Sequence, residues 1–147
     1  MSIDVEESIT IGRPRQEVAG YAMDPARDTE WIAAFNRVEV LTEPPVGVGT
    51  RVRRVARFLG RTIDYVLEIA EHEPGRRVVM RSVRSPFPMV ITYRFADDPA
   101  GTRASIRVQG DAGGFYRLAE PLLAGRVRGD VRADLRRLQS ADRPAGG

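Results

Sequence analysis

The sequence predicts an α+β protein in which a curved antiparallel sheet of seven strands wraps around one long C-terminal helix. Three observations lead there. Seven stretches of strand length alternate apolar and polar residues, and brief Gly-, Pro- and Asp-rich connections join most of them, which pairs neighbours antiparallel. From about Gly114 the apolar period lengthens to between three and five residues, as on an amphipathic helix. Between the first two strands, "RPRQEVAGYAMDPARDTEW" carries two helix-start signals, Pro14 and Pro25.

The elements follow in order. In "SIDVEESITI", Ile3, Val5, Ile9 and Ile11 share one parity and Asp4, Glu6, Ser8 and Thr10 the other, the pattern of a half-buried strand. Gly12 ends it, and Pro14 suits a first helical turn because its missing N–H would have had no partner there. Val18, Tyr21 and Ala22 form the apolar stripe of that short helix. Asp24 reads as the cap of a second one that carries Trp31. "RVEVLT" is the second strand and "EPPVGVGT" a loop. "TRVRRVARFL" and "RTIDYVLEIAEHE" form a hairpin about Gly60-Arg61. "RRVVMRSV", "MVITYRFA" and "RASIRVQG" complete the sheet. Leu118, Leu122, Val127, Val131, Leu135 and Leu138 mark the long helix, and Pro121 should kink it or split off its first turn. Residues 1–140 read as a single domain and residues 141–147 as a flexible tail.

Composition narrows the chemistry. The 147 residues, 42% apolar and 29% charged, fit a globular chain. There is no cysteine and one histidine, His72, which excludes disulfides, thiol catalysis and Cys- or multi-His metal centres. No apolar run reaches the length of a membrane span, and "MSIDVEES" lacks the basic-then-apolar pattern of a leader, so the expected location is the cytoplasm. The net charge is +3, but all 23 basic residues are Arg, the bias of GC-rich coding. Residues 1–50 carry four Arg against nine acids, and residues 51–147 nineteen against eleven. A basic outer surface on the later strands is expected, and a nucleic-acid partner is not.

A sheet with one apolar face must be covered, and only the last helix is long enough to lie across it. The two short helices then close one end of the trough. At this point "SITIGRPRQEVAGYAMDPARDTEWI", "VEVL", "VGVGT" and "AEHEPGRRVVMRS", taken in that order, resemble the polyketide cyclase/dehydrase branch of the START-like (SRPBCC) superfamily, from about residue 3 to residue 139. The resemblance implies the helix-grip (START/Bet v 1-like) fold and a deep, mainly apolar cavity between sheet and C-terminal helix. It also implies ligands among lipids, sterols, plant hormones and polyketides, with only some members being enzymes.

Strand parity nominates the cavity wall. Val52, Ala56 and Phe58 share a face, which puts Arg54 among apolar residues; Ile63, Tyr65, Leu67 and Ile69 share another, as do Met89, Ile91, Tyr93 and Phe95, and Ala104, Ile106 and Val108. Arg54 offers a permanent charge and a fork of donors suited to a carboxylate, enolate or carbonyl, and it requires a buried partner, for which Glu7 has the right parity. Tyr65 and Tyr93 are candidates for hydrogen bonding or proton donation. Arg54, Tyr65 and Tyr93 are therefore the catalytic candidates, with no role assigned outright. Trp31, Met80 and Leu122 join Arg54, Phe58, Tyr65, Leu67, Met89, Ile91, Tyr93 and Ile106 as the expected ligand-binding set. His72 falls near a turn and away from the wall; Asp97-Asp98 and Asp130/Asp134 read as a turn and a solvated helix face. No metal or cofactor is implied, and monomer and homodimer both stay open.

The leading expectation is thus a binder of a small hydrophobic molecule. A cofactor-independent cyclase, aromatase or dehydratase is the alternative, and a module binding a partner or nucleic acid through its basic outer sheet is the second.

Overall fold

The structure is a computed structural model that describes residues 3–141. Its strands are β1 (Ile3–Ile11), β2 (Phe35–Val40), β3 (Arg51–Phe58), β4 (Arg61–Glu73), β5 (Arg77–Arg84), β6 (Met89–Asp98) and β7 (Gly101–Gly110). They form one antiparallel sheet in the order β1-β7-β6-β5-β4-β3-β2. From β3 to β7 each strand pairs with its predecessor, and β1 returns to pair with β7. The segment between β1 and β2 must therefore cross from one sheet edge to the other. Helix α1 (Arg15–Ala22), a 3-10 turn (Pro25–Arg27) and α2 (Asp28–Trp31) make that crossing. Asp24 caps the turn as expected, its Oδ1 accepting from the Ala26 N–H at 3.0 Å.

Bulges help to bend the sheet. Between β4 and β5 the register slips at Val66/Leu67 and again at Ile69/Glu71, which leaves Val83 and Ala70 without directly opposed partners. An unpaired extra residue on one strand bends it and increases its twist. The β3–β4 hairpin turns on Leu59-Gly60, one residue earlier than the sequence suggested, and both residues take positive φ (50° and 78°). Two such residues match the twist of the flanking strands. Gly101 opens β7 at φ 134°, where an added Cβ would stand 2.3 Å from the Ile11 carbonyl oxygen. Only glycine lets β7 start so close to the end of β1.

Helix α4 (Glu120–Ala141) follows a separate turn, α3 (Gly113–Tyr116). Pro121 therefore sits in the first turn of α4, where a proline is tolerated, and not inside a longer helix. The inward stripe of α4 is Leu123, Val131, Leu135 and Leu138, all buried, with Val127 partly buried among them; Leu122 is 68% exposed. At about 100° per residue, the five-residue step from Leu122 to Val127 leaves the face by about 140°, whereas the four-residue step from Leu123 drifts only about 40°. The expected Leu122 contact with the interior is corrected to Leu123. Helix α4 runs to Ala141, and residues 142–147, the rest of the tail expected over 141–147, lie outside the described residues.

Polar contacts pin α4 to the β1 edge. Glu7 accepts from Arg128 Nη1 at 3.0 Å and from Arg132, and Gln139 Nε2 donates to the Thr10 carbonyl at 2.9 Å. Glu7 is thus spent on the helix and is not the partner of Arg54. On the convex face, Arg51 pairs with Glu68 at 2.8 Å, Arg53 with Asp64 at 2.6 Å and Arg107 with Asp4 at 2.6 Å. These three outer arginines are matched by carboxylates, whereas Arg57, Arg81, Arg94 and Arg103 lie exposed on the same face. Among the described residues no helix is long and apolar enough to cross a membrane.

Candidate functional site: a cavity beneath the C-terminal helix

Because α4 runs along β1 and meets β7 only at its margin, it leaves the concave face of β3 to β6 largely uncovered. A cavity of about 190 Å³ lies there. Ile63, Ile91, Ile106 and Val108 line it from the sheet, Leu123 and Val127 from the helix. Its two ends differ. Phe58 stands four residues along β3 from Arg54, about 13 Å away at the rise of a strand. Around Phe58 the wall is aromatic: Phe58 meets Tyr116 edge-on at 5.2 Å, and Phe87 lies 5.4 Å from Phe115. Arg61 covers this cluster from outside, 3.6 Å above the Phe115 ring and bonded to its carbonyl.

The other end is polar. Strand alternation places Arg54 on the concave face between Val52 and Ala56, and its side chain is 2% exposed. Its Nη2 donates to Asp28 Oδ2 at 2.8 Å, and the Tyr93 hydroxyl lies 3.5 Å from the same nitrogen. Its guanidinium carbon sits 4.7 Å from the centre of the Phe35 ring. Nε and Nη1 are buried with no hydrogen-bond partner. An orphaned buried donor of this kind costs about 1–3 kcal/mol.

Asp28 reaches Arg54 because the crossing segment ends there: the one-turn helix α2 carries Asp28 at its start and Trp31 at its end, both 1% exposed. Burial pushes the Asp28 carboxyl up from its ordinary value, while the Arg54 charge pulls it back. Burial works against the charge on Arg54 and the Asp28 carboxylate supports it; the guanidinium stays charged at any ordinary pH. Burial also raises both tyrosines, again against the pull of Arg54. Tyr116, at the aromatic end, is pushed up to about 12, mainly by burial. At neutral pH all three phenols are therefore proton-bearing groups, able to donate a hydrogen bond or a proton and unable to act as bases. Asp130 and Asp134 of α4 also line the cavity. Asp134 accepts from the Ala33 N–H at 3.3 Å and from Arg137, and burial raises its carboxyl.

Comparisons with known proteins agree with this architecture. The family described as polyketide cyclase/dehydrase and lipid transport matches residues 2–141. The chain belongs to that family. Among solved structures, this family member is similar to TTHA0849 from Thermus thermophilus, with 21% identity and a TM-score of 0.79 over 100% of both chains. It is similar to the Zhui aromatase/cyclase from Streptomyces sp. R1128, with 20% identity and a TM-score of 0.78 over 100% of this chain and 99% of that one. It is also similar to Ara h 8.0201, with 14% identity and a TM-score of 0.69 over 97% and 98%. At these identities the likeness concerns the fold. No curated protein matches.

Of the residues nominated from the sequence, Arg54, Phe58, Tyr65, Met89, Ile91, Tyr93 and Ile106 line the cavity. Leu67 and Met80 do not; they lie in the packed core that also takes Val18, Ala19 and Ala22 of α1. Trp31 is likewise core, its ring edge-on to Tyr93 at 5.7 Å, so it backs the wall rather than forming it. Leu122 lies exposed on the outer side of α4. His72 is partly exposed at the far end of β4, opposite Val78. Asp97 is the last residue but one of β6 and pairs with Arg15 at 3.1 Å. Sequence reasoning missed Asp28, and it placed Asp130 and Asp134 on a solvated face. The available signal for Asp28 was the need of a buried Arg54 for a carboxylate, together with two acids in the turn beside the sole Trp.

Proposed function

We propose that this protein binds a compact hydrophobic molecule, polyketide-, aromatic- or lipid-like, in the cavity beneath α4, with an oxygen of the ligand directed to Arg54. The observation that carries the proposal is the half-satisfied guanidinium: a fully buried Arg54 lines an apolar space with Nε and Nη1 unpaired. A ligand oxygen there would relieve the penalty of orphaned donors while the apolar wall buries the ligand's body. Size supports a small skeleton. An engineered cavity of about 150 Å³ takes up benzene, so one of 190 Å³ suits one or two rings. The family's description and the aromatase/cyclase among its structural neighbours fit such a ligand.

Native mass spectrometry of freshly purified protein tests it first, by looking for a retained small molecule. Titration with 2-acetylnaphthalene then tests the role of Arg54. Arg54→Met should weaken binding at least about tenfold, the worth of a hydrogen bond to a charged donor. Equal affinity in wild type and variant would sink the proposal.

A second reading rests on a separate observation. Arg54 and two proton-bearing phenols, Tyr65 and Tyr93, meet at one end of the cavity. A permanent cation stabilises a developing enolate, and a neutral phenol can protonate a leaving oxygen or a carbanion. In that reading the protein is a cofactor-independent cyclase, aromatase or dehydratase. Turnover of a short poly-β-ketone that disappears in Tyr93→Phe, with binding retained, would support it; binding without turnover would remove it.

A further inference from the structure

The proposed binding site also constrains the charge of its ligand, an inference that rests on the binding reading. Among the described residues, Arg54 is the one cation lining the cavity. Its charge is already matched by Asp28, at 2.8 Å with both side chains 2% exposed. Asp130 and Asp134 add two more carboxylates to the wall. Their partners are Arg126, 3.4 Å from Asp130, and Arg137, both on α4 and both substantially exposed. The interior therefore carries no surplus of positive charge.

The hydrogen-bond geometry points the same way. A guanidinium grips a carboxylate with two nitrogens at once, either Nη1 with Nη2 or Nε with Nη2. Both forks include Nη2, one through each of its two N–H groups; Asp28 accepts at 2.8 Å and the Tyr93 hydroxyl lies 3.5 Å from the same nitrogen, so Nη2 faces protein oxygens on its own account. The two remaining nitrogens, Nε and Nη1, do not form a fork together. A ligand oxygen is therefore met by one of them and not gripped by both.

We infer that Asp28 sets the specificity of this site: by neutralising Arg54 and occupying its shared nitrogen, it makes the cavity select neutral oxygen acceptors (ketones, quinones, esters) over the carboxylate of the same skeleton. A ketone accepts from Nε or Nη1 and adds no charge. A carboxylate brings a second negative charge into a site balanced for one, and buried charge without compensation is strongly disfavoured.

The test compares 2-acetylnaphthalene with 2-naphthoate at pH 7, where the acid is ionised, by calorimetric titration of the wild-type protein. The ketone should bind at least about tenfold tighter. Asp28→Asn should narrow that ratio by about tenfold or more, because naphthoate then becomes the missing counter-charge. Should Asp28→Asn fail to fold, the wild-type protein still supplies the test: 2-naphthamide, the uncharged isostere of naphthoate, should bind it at least about tenfold tighter than naphthoate, and equal binding of the two would overturn the inference. Naphthoate binding as tightly as the ketone to the wild-type protein would overturn the inference and leave the binding reading intact. Failure of both compounds, and of the methyl ester of naphthoic acid, would count against the binding reading itself.

Discussion

Arg53 and Arg54 are consecutive on β3, have identical side chains and each pair with an aspartate, yet they occupy opposite faces of the sheet. Arg53 is bidentate to Asp64, with bonds of 2.9 and 2.6 Å, and the two side chains keep 31% and 39% of their exposure. Arg54 holds Asp28 through a single 2.8 Å contact at 2% exposure on each side. The better-made pair is thus on the outside, where water already solvates both ions and the pair matters least. The buried pair has poorer geometry, two donors unmet and a cavity beside them. A stabilising device would show the reverse. The inner pair is better understood as a charged donor held ready, with Asp28 preventing the cost of an isolated buried charge.

The largest expected consequence is on stability. Asp28→Ala strands a buried guanidinium and should cost about 3–5 kcal/mol in denaturant unfolding, whereas Asp64→Ala should move the midpoint little. Equal losses would erase the contrast between the faces. Removing the inner pair whole sharpens it: Arg54→Met/Asp28→Leu should regain most of the lost stability, since a buried ion pair replaced by apolar groups is often neutral. The same double variant should still lose affinity for an aromatic ketone by at least about tenfold. A smaller effect is expected at the neighbouring phenol. Tyr93→Phe removes a hydroxyl 3.5 Å from Arg54 and should weaken ketone binding roughly two- to tenfold, the net value of one neutral hydrogen bond.

The smallest effect belongs to the outer pair and has a definite pH sign. The bond from Arg53, with further help from Arg84, holds the Asp64 carboxyl at about 2, below its ordinary 3.8. A carboxylate lowered in the folded state contributes stability that is present above its unfolded value and is lost as pH falls through the folded one. Asp64→Asn should therefore flatten the acid limb of the stability profile between about pH 4 and 2, with a small loss at neutrality that vanishes at the acid end. A variant whose acid limb is as steep as that of the wild type would show that Asp64 makes no such contribution.

Much of this was legible from alternation alone. The parity of β3 put Arg54 between Val52 and Ala56 on the apolar face, and the parities of β4, β6 and β7 supplied Tyr65, Tyr93 and Ile106 beside it. Alternation fixes a face, however, and says nothing of depth along it. Leu67 and Met80 share the concave face with Tyr65 and Ile91, yet they lie in the core cluster that also takes α1. Helical residues were harder. A stripe broken by Pro121 and a five-residue step drew in Leu122, one residue short of Leu123. Asp28 was hidden for a different reason: a one-turn helix has no periodicity to read, and only the crossing of the chain from β1 to β2 brings it to Arg54, 26 residues away.

The most direct test of the account follows the side-chain Nε–H resonance of Arg54 by nuclear magnetic resonance while 2-acetylnaphthalene is titrated into the wild-type protein. The account predicts a shift of that resonance that saturates with the affinity measured by calorimetry, while the Arg53 resonance stays in place. Saturable binding that leaves Arg54 unmoved, or a shift of both arginines alike, would contradict it.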